Sequence, residues 1–229
     1  MIRAVLFDAG ATLVHPDPPV EAVYAREFAA DGARFSEEDL GRALTRAWEE
    51  VHAGDSGVDR YGGVRGEPRF WKAFLGRVRA FLDGGAVSPA AFSRLAEHFR
   101  SPEAWAIYDD VVSTLEELSR RDFKLAVVSN WDSHLPKLLA TLDLDRFFPV
   151  VAVSAIEEVG KPDPEIFRRA CQRLQVSATE SLHVGDSVIE DYDGARAAGL
   201  SALLLDRGDR HPDVLERIRS LGELPERLL

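Results

Sequence analysis

The sequence predicts an α/β fold, with a Rossmann-like, doubly wound parallel sheet and an inserted α-helical module. Short apolar runs, hydrophobic on both faces like buried parallel strands, alternate with helical patterns over most of the chain. One long stretch after the first run carries helical patterns only. Polar residues follow four of the runs, at the edge where an open α/β sheet binds its ligands.

The apolar runs have the length of strands in a buried sheet. They are Ala4–Phe7, Phe123–Val128, Val150–Val153, Leu182–Val184 and Ala202–Leu205. A helix is predicted before the second run, where Val112, Leu115 and Leu118 recur at helical spacing. Another is predicted to open at Pro162, because proline is tolerated in the first turn of a helix.

The stretch from residue 15 to residue 102 is predicted to be a separate four-helix module, because its apolar residues recur only at helical spacing. Its apolar stripes are Val20, Val23, Tyr24 and Phe28; Leu40, Leu44, Trp48 and Val51; Trp71, Phe74, Leu75, Val78 and Leu82; and Phe92, Leu95 and Phe99. Ser36 and Ser88 are predicted N-caps, and the glycine-rich residues 53–66 are a predicted loop. The predicted α/β core comprises residues 1–14 and 103–229.

Charge and composition restrict the classes of partner. The chain has 229 residues, a formal net charge of −11 and a pI of about 5.1. Nucleic-acid phosphates and anionic membranes repel such a protein, so neither is an expected partner. No apolar run approaches the ~18 residues of a membrane span, no signal peptide is evident, and the single cysteine, Cys171, excludes an intrachain disulfide. These features predict a cytoplasmic protein.

Polar residues stand at the carboxyl ends of the predicted strands, and they are expected to converge on one crevice. They are Asp8–Thr12 after the first run, Ser129 and Asn130 after the second, Lys161 after the third, and Gly185–Ser187 with Asp191 after the fourth. Each residue alone is a weak signal, since an aspartate after a strand is often a helix cap and a lysine is usually solvated. The ordered set is a much stronger signal.

This set of residues favours phosphoryl transfer. Asp8 can attack phosphorus and form an aspartyl-phosphate. Asp186, supported by Asp191, can hold Mg²⁺ through oxygen ligands, and the cation then shields the anionic nucleophile from an anionic substrate. Lys161 and the Ser129 hydroxyl can bind the transferred phosphoryl oxygens.

The same residues resemble the four signature motifs of the haloacid dehalogenase-like hydrolase superfamily. Phe7–Leu13 (FDAGATL) resembles the first motif, Asp-x-Asp-x-Thr, and Ser129 with Asn130 resembles the second. Lys161 before PDPEIF resembles the third motif, and His183–Gly199 resembles the fourth. The resemblance covers the whole predicted α/β core.

The resemblance implies a Mg²⁺-dependent phosphatase acting on a small phosphorylated metabolite. The implied roles are Asp8 as nucleophile and metal ligand, the Gly10 carbonyl and Asp186 as metal ligands, Ser129, Asn130 and Lys161 as substrate-binding groups, Thr12 as a donor at the turn, and Asp191 and Ser187 as supporting residues. The helical insert resembles the family's C1 cap, which closes over the site and sets substrate choice. Tyr24, Tyr61, Arg65 and Trp71 are candidates for substrate contact, although each is more typical of core or surface.

One position departs from the family pattern. Family phosphatases carry a second aspartate two residues after the nucleophile, where this sequence has Gly10. That aspartate acts as general acid and base, which is typically worth ~10²–10⁴-fold in rate, so Gly10 implies slow turnover unless another group replaces it. His15 is a candidate, because histidine side chains serve as acids and bases near neutral pH. A histidine in a hinge loop is the more ordinary interpretation.

Other activities stay open on the same nucleophile. The family's 2-haloacid dehalogenases also begin Phe-Asp-Ala and lack the second aspartate, but they need no Mg²⁺, and retention of Asp186 argues against that chemistry. The family's phosphonate hydrolase uses a cap lysine as a Schiff base, and the only lysine of the insert, Lys72, stands among Trp71 and Phe74. A non-catalytic module that binds phosphate or protein would have no need of Asp8.

Overall fold

The computed structural model describes residues 1–52 and 64–228 of the chain. The chain divides into two compact units. We call residues 1–15 with 107–229 the sheet unit, and residues 16–106 the helical unit. Most of the predicted glycine-rich loop, including Tyr61, lies outside the described residues.

Strands of the described residues form two sheets. They are β1 Ala4–Phe7, β2 Val14–Pro16, β3 Trp105–Ile107, β4 Lys124–Ser129, β5 Val150–Val153, β6 Ser181–Gly185, β7 Ser201–Leu205 and β8 Arg217–Ile218. The larger sheet is parallel and has the order β5-β4-β1-β6-β7-β8, whereas β2 and β3 pair in a separate two-stranded sheet. Helices flank the larger sheet, so the predicted Rossmann-like α/β class is confirmed.

The predicted strands are all present. Ala4–Phe7 and Val150–Val153 have the predicted bounds, because both faces of each strand are apolar along its whole length. The second strand is displaced by one residue, so Ser129 ends β4 rather than following it. The sequence does not predict β2, β3 and β8, because two or three residues are too few to show a period.

β1 lies between β4 and β6, and its register decides which polar residues meet. Phe7 lies opposite Val127 of β4 and Val184 of β6. The next residue, Asp8, is therefore level with Gly185 at the end of β6. All four residues of β1 are buried, as expected for a central strand with both faces covered. The carboxyl ends of three neighbouring strands thus come together around Asp8.

The helices are divided between the two units. They are α1 Val20–Ala30, α2 Glu37–His52, α3 Glu67–Leu82, α4 Pro89–Arg100, α5 Val111–Arg120, α6 Leu135–Thr141, α7 Ser154–Glu157, α8 Pro164–Leu174, α9 Gly194–Ala197 and α10 Leu224–Arg227. α8 begins at Pro164 rather than at the predicted Pro162, because Asp163 is its N-cap and accepts the Glu165 N–H at 2.8 Å. Phe167 of α8 belongs to the apolar core beneath the sheet.

The helical unit contains α1–α4 around an apolar core of its own. Both predicted N-caps are present: Ser36 Oγ accepts the Asp39 N–H at 3.1 Å, and Ser88 Oγ accepts the Ala91 N–H at 3.0 Å. Trp48 departs from the predicted stripe, because it is 39 % exposed. No helix of the described residues has both the length and the apolar composition of a membrane span.

Two of the substrate-contact candidates pack within or against the apolar core of the helical unit. Tyr24 is buried and packs against Phe28, and burial raises its pKa. Trp71 packs edge-on against Phe74. Arg65 is exposed. The helical unit therefore uses most of its aromatic side chains for packing.

Candidate active site

A buried lysine joins two carboxylates at the carboxyl edge of the sheet. Lys161 Nζ donates to Asp8 Oδ1 at 2.6 Å and to Asp191 Oδ1 at 2.5 Å. Lys161 is 1 % exposed and Asp8 is 8 % exposed. Burial lowers the pKa of Lys161, but the charges of Asp191 and Asp8 outweigh it and raise the pKa above its ordinary value. The lysine therefore stays charged because it is paired.

Asn130 holds the backbone of this lysine. Its Nδ2 donates to the Lys161 carbonyl at 2.8 Å, and the Lys161 N–H donates to its Oδ1 at 2.8 Å. The two bonds tie the end of β4 to the loop before α8. The sequence predicts that Asn130 contacts substrate, and the structure adds a positioning contact with Lys161.

Asp191 is held from several sides in a π-helical turn, Val188–Asp193, that follows β6. Its Oδ1, which contacts Lys161, also lies 2.9 Å from His183 Nε2. Its Oδ2 accepts the Ser187 N–H at 3.0 Å, and the Ser187 hydroxyl caps the turn. Single π-helical turns often occur at functional sites, and this one directs Asp191 toward the lysine.

Gly185, the last residue of β6, allows Asp191 to approach the strand. A Cβ built on Gly185 would lie 2.2 Å from Asp191 Cγ, a distance that no real Cβ tolerates. Any larger residue would therefore displace Asp191 from Lys161. The glycine of the Gly-Asp pair thus has a packing role beside the chemical role of the aspartate.

Asp8, Asp186 and Asp191 form a carboxylate cluster, in which one ligand oxygen from each lies within 4.8 Å of the others. Burial and the charges of Asp8 and Asp191 raise the pKa of Asp186 to about 7. Burial also raises the pKa of Asp8, against the opposing effect of Lys161. Burial opposes ionisation of Asp191 too, but Lys161 and His183 hold its pKa below the usual range. Lys161 binds Asp8 and Asp191, and Asp186 adds a third carboxylate, so the cluster fits a divalent cation with oxygen ligands, such as Mg²⁺.

Gly10 faces an aromatic ring where the family's second aspartate would stand. A Cβ built on Gly10 would lie 3.2 Å from Trp131 Cζ3. The backbone of Trp131 is fixed by Ser154, whose Oγ accepts the Trp131 N–H and donates to the Trp131 carbonyl, both at 3.1 Å. A side chain at position 10 would therefore require the indole to move.

Ser129 and Thr12 are both buried, but their hydroxyls have different surroundings. The Ser129 hydroxyl hydrogen-bonds to Asp8 and lowers the pKa of that carboxyl. The Thr12 hydroxyl has no hydrogen-bond partner among the described residues, and its carbonyl accepts Arg207 Nη2 at 3.0 Å. The structure therefore brings Ser129 to the nucleophile, whereas Thr12 links the turn to Arg207.

His15 lies at the end of the turn that follows Asp8, and its ring centroid is 4.6 Å from that of Tyr108. The sequence alone does not indicate roles for Tyr108, Trp131 and His183. A histidine within an apolar strand is the one signal that could have identified His183, since burial of an imidazole requires a partner.

Known relatives of the chain include phosphatases. A family model described as haloacid dehalogenase-like hydrolase matches residues 2–199. The haloacid dehalogenase-like hydrolase domain-containing protein 3 of Danio rerio is 33 % identical, over 99 % of this chain and 96 % of its own. A glyceraldehyde 3-phosphate phosphatase of Methanopyrus kandleri is 33 % identical, over 91 % of this chain and 85 % of its own.

Solved structures with this fold include proteins named for more than one type of reaction. A HAD phosphatase from Thermococcus onnurineus has a TM-score of 0.68 and 28 % identity, covering 99 % of this chain and 98 % of its own. A 2-haloacid dehalogenase from Pseudomonas syringae has a TM-score of 0.62 and 27 % identity, covering 100 % of this chain and 98 % of its own. Likeness of fold therefore does not choose between phosphate and halide substrates.

Proposed function

The chain belongs to the haloacid dehalogenase-like hydrolase family, and we propose that it is a Mg²⁺-dependent phosphatase of a small phosphate monoester. The observation that carries this proposal is the bond from Lys161 to Asp8, within a cluster that also contains Asp186. A nucleophilic carboxylate, a fixed cation for the phosphoryl group and a site for a divalent cation are the parts that this reaction needs. The phosphatase relative supports the reaction class.

Asp8, Asp186 and the backbone carbonyl of Gly10 would hold the cation, and Asp191 would act through Lys161 or a bound water. The bound cation supplies positive charge that shields the anionic nucleophile from an anionic phosphate. The raised pKa of Asp186 supports this role, because a neighbouring cation would return the carboxyl to its ionised form.

The proposed reaction proceeds in two steps on Asp8. An oxygen of Asp8 attacks phosphorus, the bond from phosphorus to the leaving oxygen breaks, and the leaving oxygen takes up a proton. Lys161 and Ser129 donate to the phosphoryl oxygens. Water then attacks the aspartyl-phosphate, loses a proton, and releases phosphate and the Asp8 carboxylate. Gly10 can supply neither proton transfer, so another group must do so or turnover is slow.

Dehalogenation of a 2-haloacid on the same nucleophile is the second candidate, favoured by Gly10 and by a dehalogenase of similar fold. The crowding of Asp186 with two other carboxylates counts against it, because a reaction without a metal leaves their repulsion uncompensated. A Schiff base on Lys72 is disfavoured, because its ammonium lies 6.0 Å from the ring centroid of Phe92 within the helical unit.

The experiment that tests the proposal is hydrolysis of 4-nitrophenyl phosphate by the parent protein and by Asp8→Asn, with Mg²⁺ and with EDTA. Asp143→Asn is the matched control, because Asp143 is exposed and has a left-handed backbone that asparagine tolerates. We expect activity that needs both Mg²⁺ and Asp8, and that survives in Asp143→Asn.

Two results would contradict the proposal. Halide release from a 2-haloacid in EDTA, lost in Asp8→Asn, would establish dehalogenase chemistry. A folded parent protein with no activity on either substrate would establish a non-catalytic module.

A further inference from the structure

We propose that His15 is the group that handles the proton of the leaving oxygen, in place of the carboxylate missing at position 10, and that Tyr108 positions it. This inference rests on the proposed phosphatase function. It joins three separate observations: the space beside Gly10, the path of the chain after Asp8, and the packing of the His15 ring.

The space beside Gly10 is occupied by a residue that cannot replace the carboxylate. The Trp131 indole stands 3.2 Å from the place of a Cβ at position 10. Its N–H is a donor without a pKa in the useful range, so it cannot take part in both proton transfers. Fast turnover of an ester with a poor leaving group therefore needs an acid and base from another residue.

The chain turns back sharply after Asp8 and brings His15 near Gly10. The N–H groups of Leu13 and Val14 both donate to the Ala9 carbonyl, at 2.8 and 3.0 Å, and the Ala11 N–H donates to the Val14 carbonyl at 2.9 Å. Val14 consequently pairs with Gly10 in an isolated parallel bridge. Paired residues lie ~5 Å apart. The Cα of His15, one residue further, is therefore within about 9 Å of the Gly10 Cα.

The His15 ring packs on a braced aromatic side chain. Its centroid lies 4.6 Å from that of Tyr108, with the planes tilted by 48°. The Arg207 guanidinium lies 3.9 Å from the Tyr108 ring centroid, and it donates to both carboxylate oxygens of Asp110 at 2.8 Å. Arg207 also donates to the Thr12 carbonyl, inside the turn that carries His15. The imidazole and the turn therefore share one support.

Tyr108 lies within electrostatic reach of the carboxylate cluster. Burial raises the pKa of the Tyr108 phenol, Arg207 opposes that rise, and the negative charge of Asp186 adds to it. The Tyr108 side chain, which contacts His15, therefore lies near enough to Asp186 for the two to interact electrostatically.

The proton transfers balance over one cycle. The His15 imidazolium gives its proton to the leaving oxygen as the bond to phosphorus breaks. The neutral imidazole then takes a proton from the water that attacks the aspartyl-phosphate. The histidine returns to its starting form, the substrate leaves as an alcohol, and phosphate is released.

The test uses leaving groups that differ in their need for a proton. We would measure kcat/KM of the parent protein and of His15→Gln on 4-nitrophenyl phosphate, phenyl phosphate and an alkyl phosphate. Nitrophenolate leaves without a proton, so the loss should be small there and should grow to ~10²-fold or more on the alkyl phosphate. Added imidazole should partly restore His15→Ala on the alkyl phosphate. His98→Gln, which removes a histidine of α4, is the matched control.

Substitution of Tyr108, the aromatic residue that contacts His15, gives an independent test. Tyr108→Leu should lose activity with the same dependence on leaving group, and to a smaller extent than His15→Gln, because the histidine is still present but less well placed. An equal loss on all three substrates, with no rescue by imidazole, would overturn the role of His15 while the phosphatase stands. A parent protein inactive on all three substrates would overturn the proposed function itself.

Discussion

The two units of the molecule bury charged side chains in opposite ways. In the helical unit, Glu27 is bound by Arg26 at 2.8 Å and by Arg94 at 2.6 Å. Burial opposes the ionisation of Glu27, but the two arginines hold its pKa below the usual range. In the sheet unit, Lys161 binds two of three clustered carboxylates, and the pKa of the third, Asp186, rises to about 7. Balanced charges are typical of a structural role, and an excess of negative charge is typical of a functional site that binds a cation.

Arg79 is the counterpart of Lys161 in the helical unit. It is buried, it binds Asp83 at 2.9 Å, and its guanidinium lies over the rings of Phe28 and Phe35. The carboxylate of Asp83 balances the charge of Arg79, and the two aromatic rings add a contact with the cation. Substitution of Lys161 and of Arg79 therefore tests the comparison between the two units.

The largest effect is expected from Lys161→Met. This change leaves Asp8 and Asp191 buried without their cation, and breaking such a pair typically costs ~3–5 kcal/mol. Urea unfolding would measure that loss, and phosphatase activity should disappear with it. Lys137→Met, at an exposed position of α6, is the control. A stability loss equal to that of Lys137→Met would mean that the carboxylates are protonated or hydrated, and the contrast between the units would fail.

A smaller effect, in the direction of higher activity, is expected from substitution of Gly10. Gly10→Asp alone should give little gain, because the new Cβ would meet the Trp131 ring. In a His15→Gln background, Gly10→Asp combined with Trp131→Leu should restore kcat on an alkyl phosphate, by up to the ~10²-fold that general acid catalysis contributes. A full gain in the single variant would show that the indole moves easily, and Trp131→Leu alone is the control.

Arg79→Met should cost about 2 kcal/mol, the size of a desolvated contact between a cation and aromatic rings, and should leave kcat unchanged. Thermal unfolding and steady-state kinetics would separate the two quantities. A fall in kcat without a loss of stability would show that a buried charge of the helical unit serves the reaction, contrary to the comparison.

The smallest measured difference is expected between pH 5 and pH 6, in the absence of metal. The pKa of Asp186 rises from 3.8 to about 7 on folding, so between these values the folded state holds a proton that the unfolded state has lost. Stability must then fall as pH rises through this window, by about 1 kcal/mol per pH unit, and level off above it. Urea unfolding in EDTA at pH 5 and pH 6 would show the difference relative to Asp186→Asn. Mg²⁺ should remove it, and an unchanged slope in Asp186→Asn would reject the assignment.

The sequence predicts much of the fold because the relevant signals are local. A buried parallel strand is apolar on both faces, and β1 and β5 show this over their full lengths. Ser88 and Pro89 mark the start of α4 within a few residues. β8 and the pair β2 and β3 have too few residues to give such a signal, and they form because neighbouring chain is already in place.

The residues of the candidate site likewise include some that the sequence identifies and some that it does not. Asp8, Lys161, Asp186 and Asp191 are evident in the sequence, because each follows an apolar run and the set matches family motifs. The roles of Trp131, Tyr108 and Arg207 are not evident, because each acts through a contact with a distant segment. Arg207 reaches the Thr12 carbonyl across 195 positions of the chain.

The sequence by itself determined the succession of the longer strands and helices along the chain and the chemical types of the groups at the strand ends. Only the tertiary structure decided which of those charged groups lie close enough to interact. The pKa of Asp186 depends on its burial and on its distance from Asp8 and Asp191, and neither quantity is a property of residue order. The register of β1 between β4 and β6 brings these charged groups together, so the geometry of the sheet determines the electrostatics of the site.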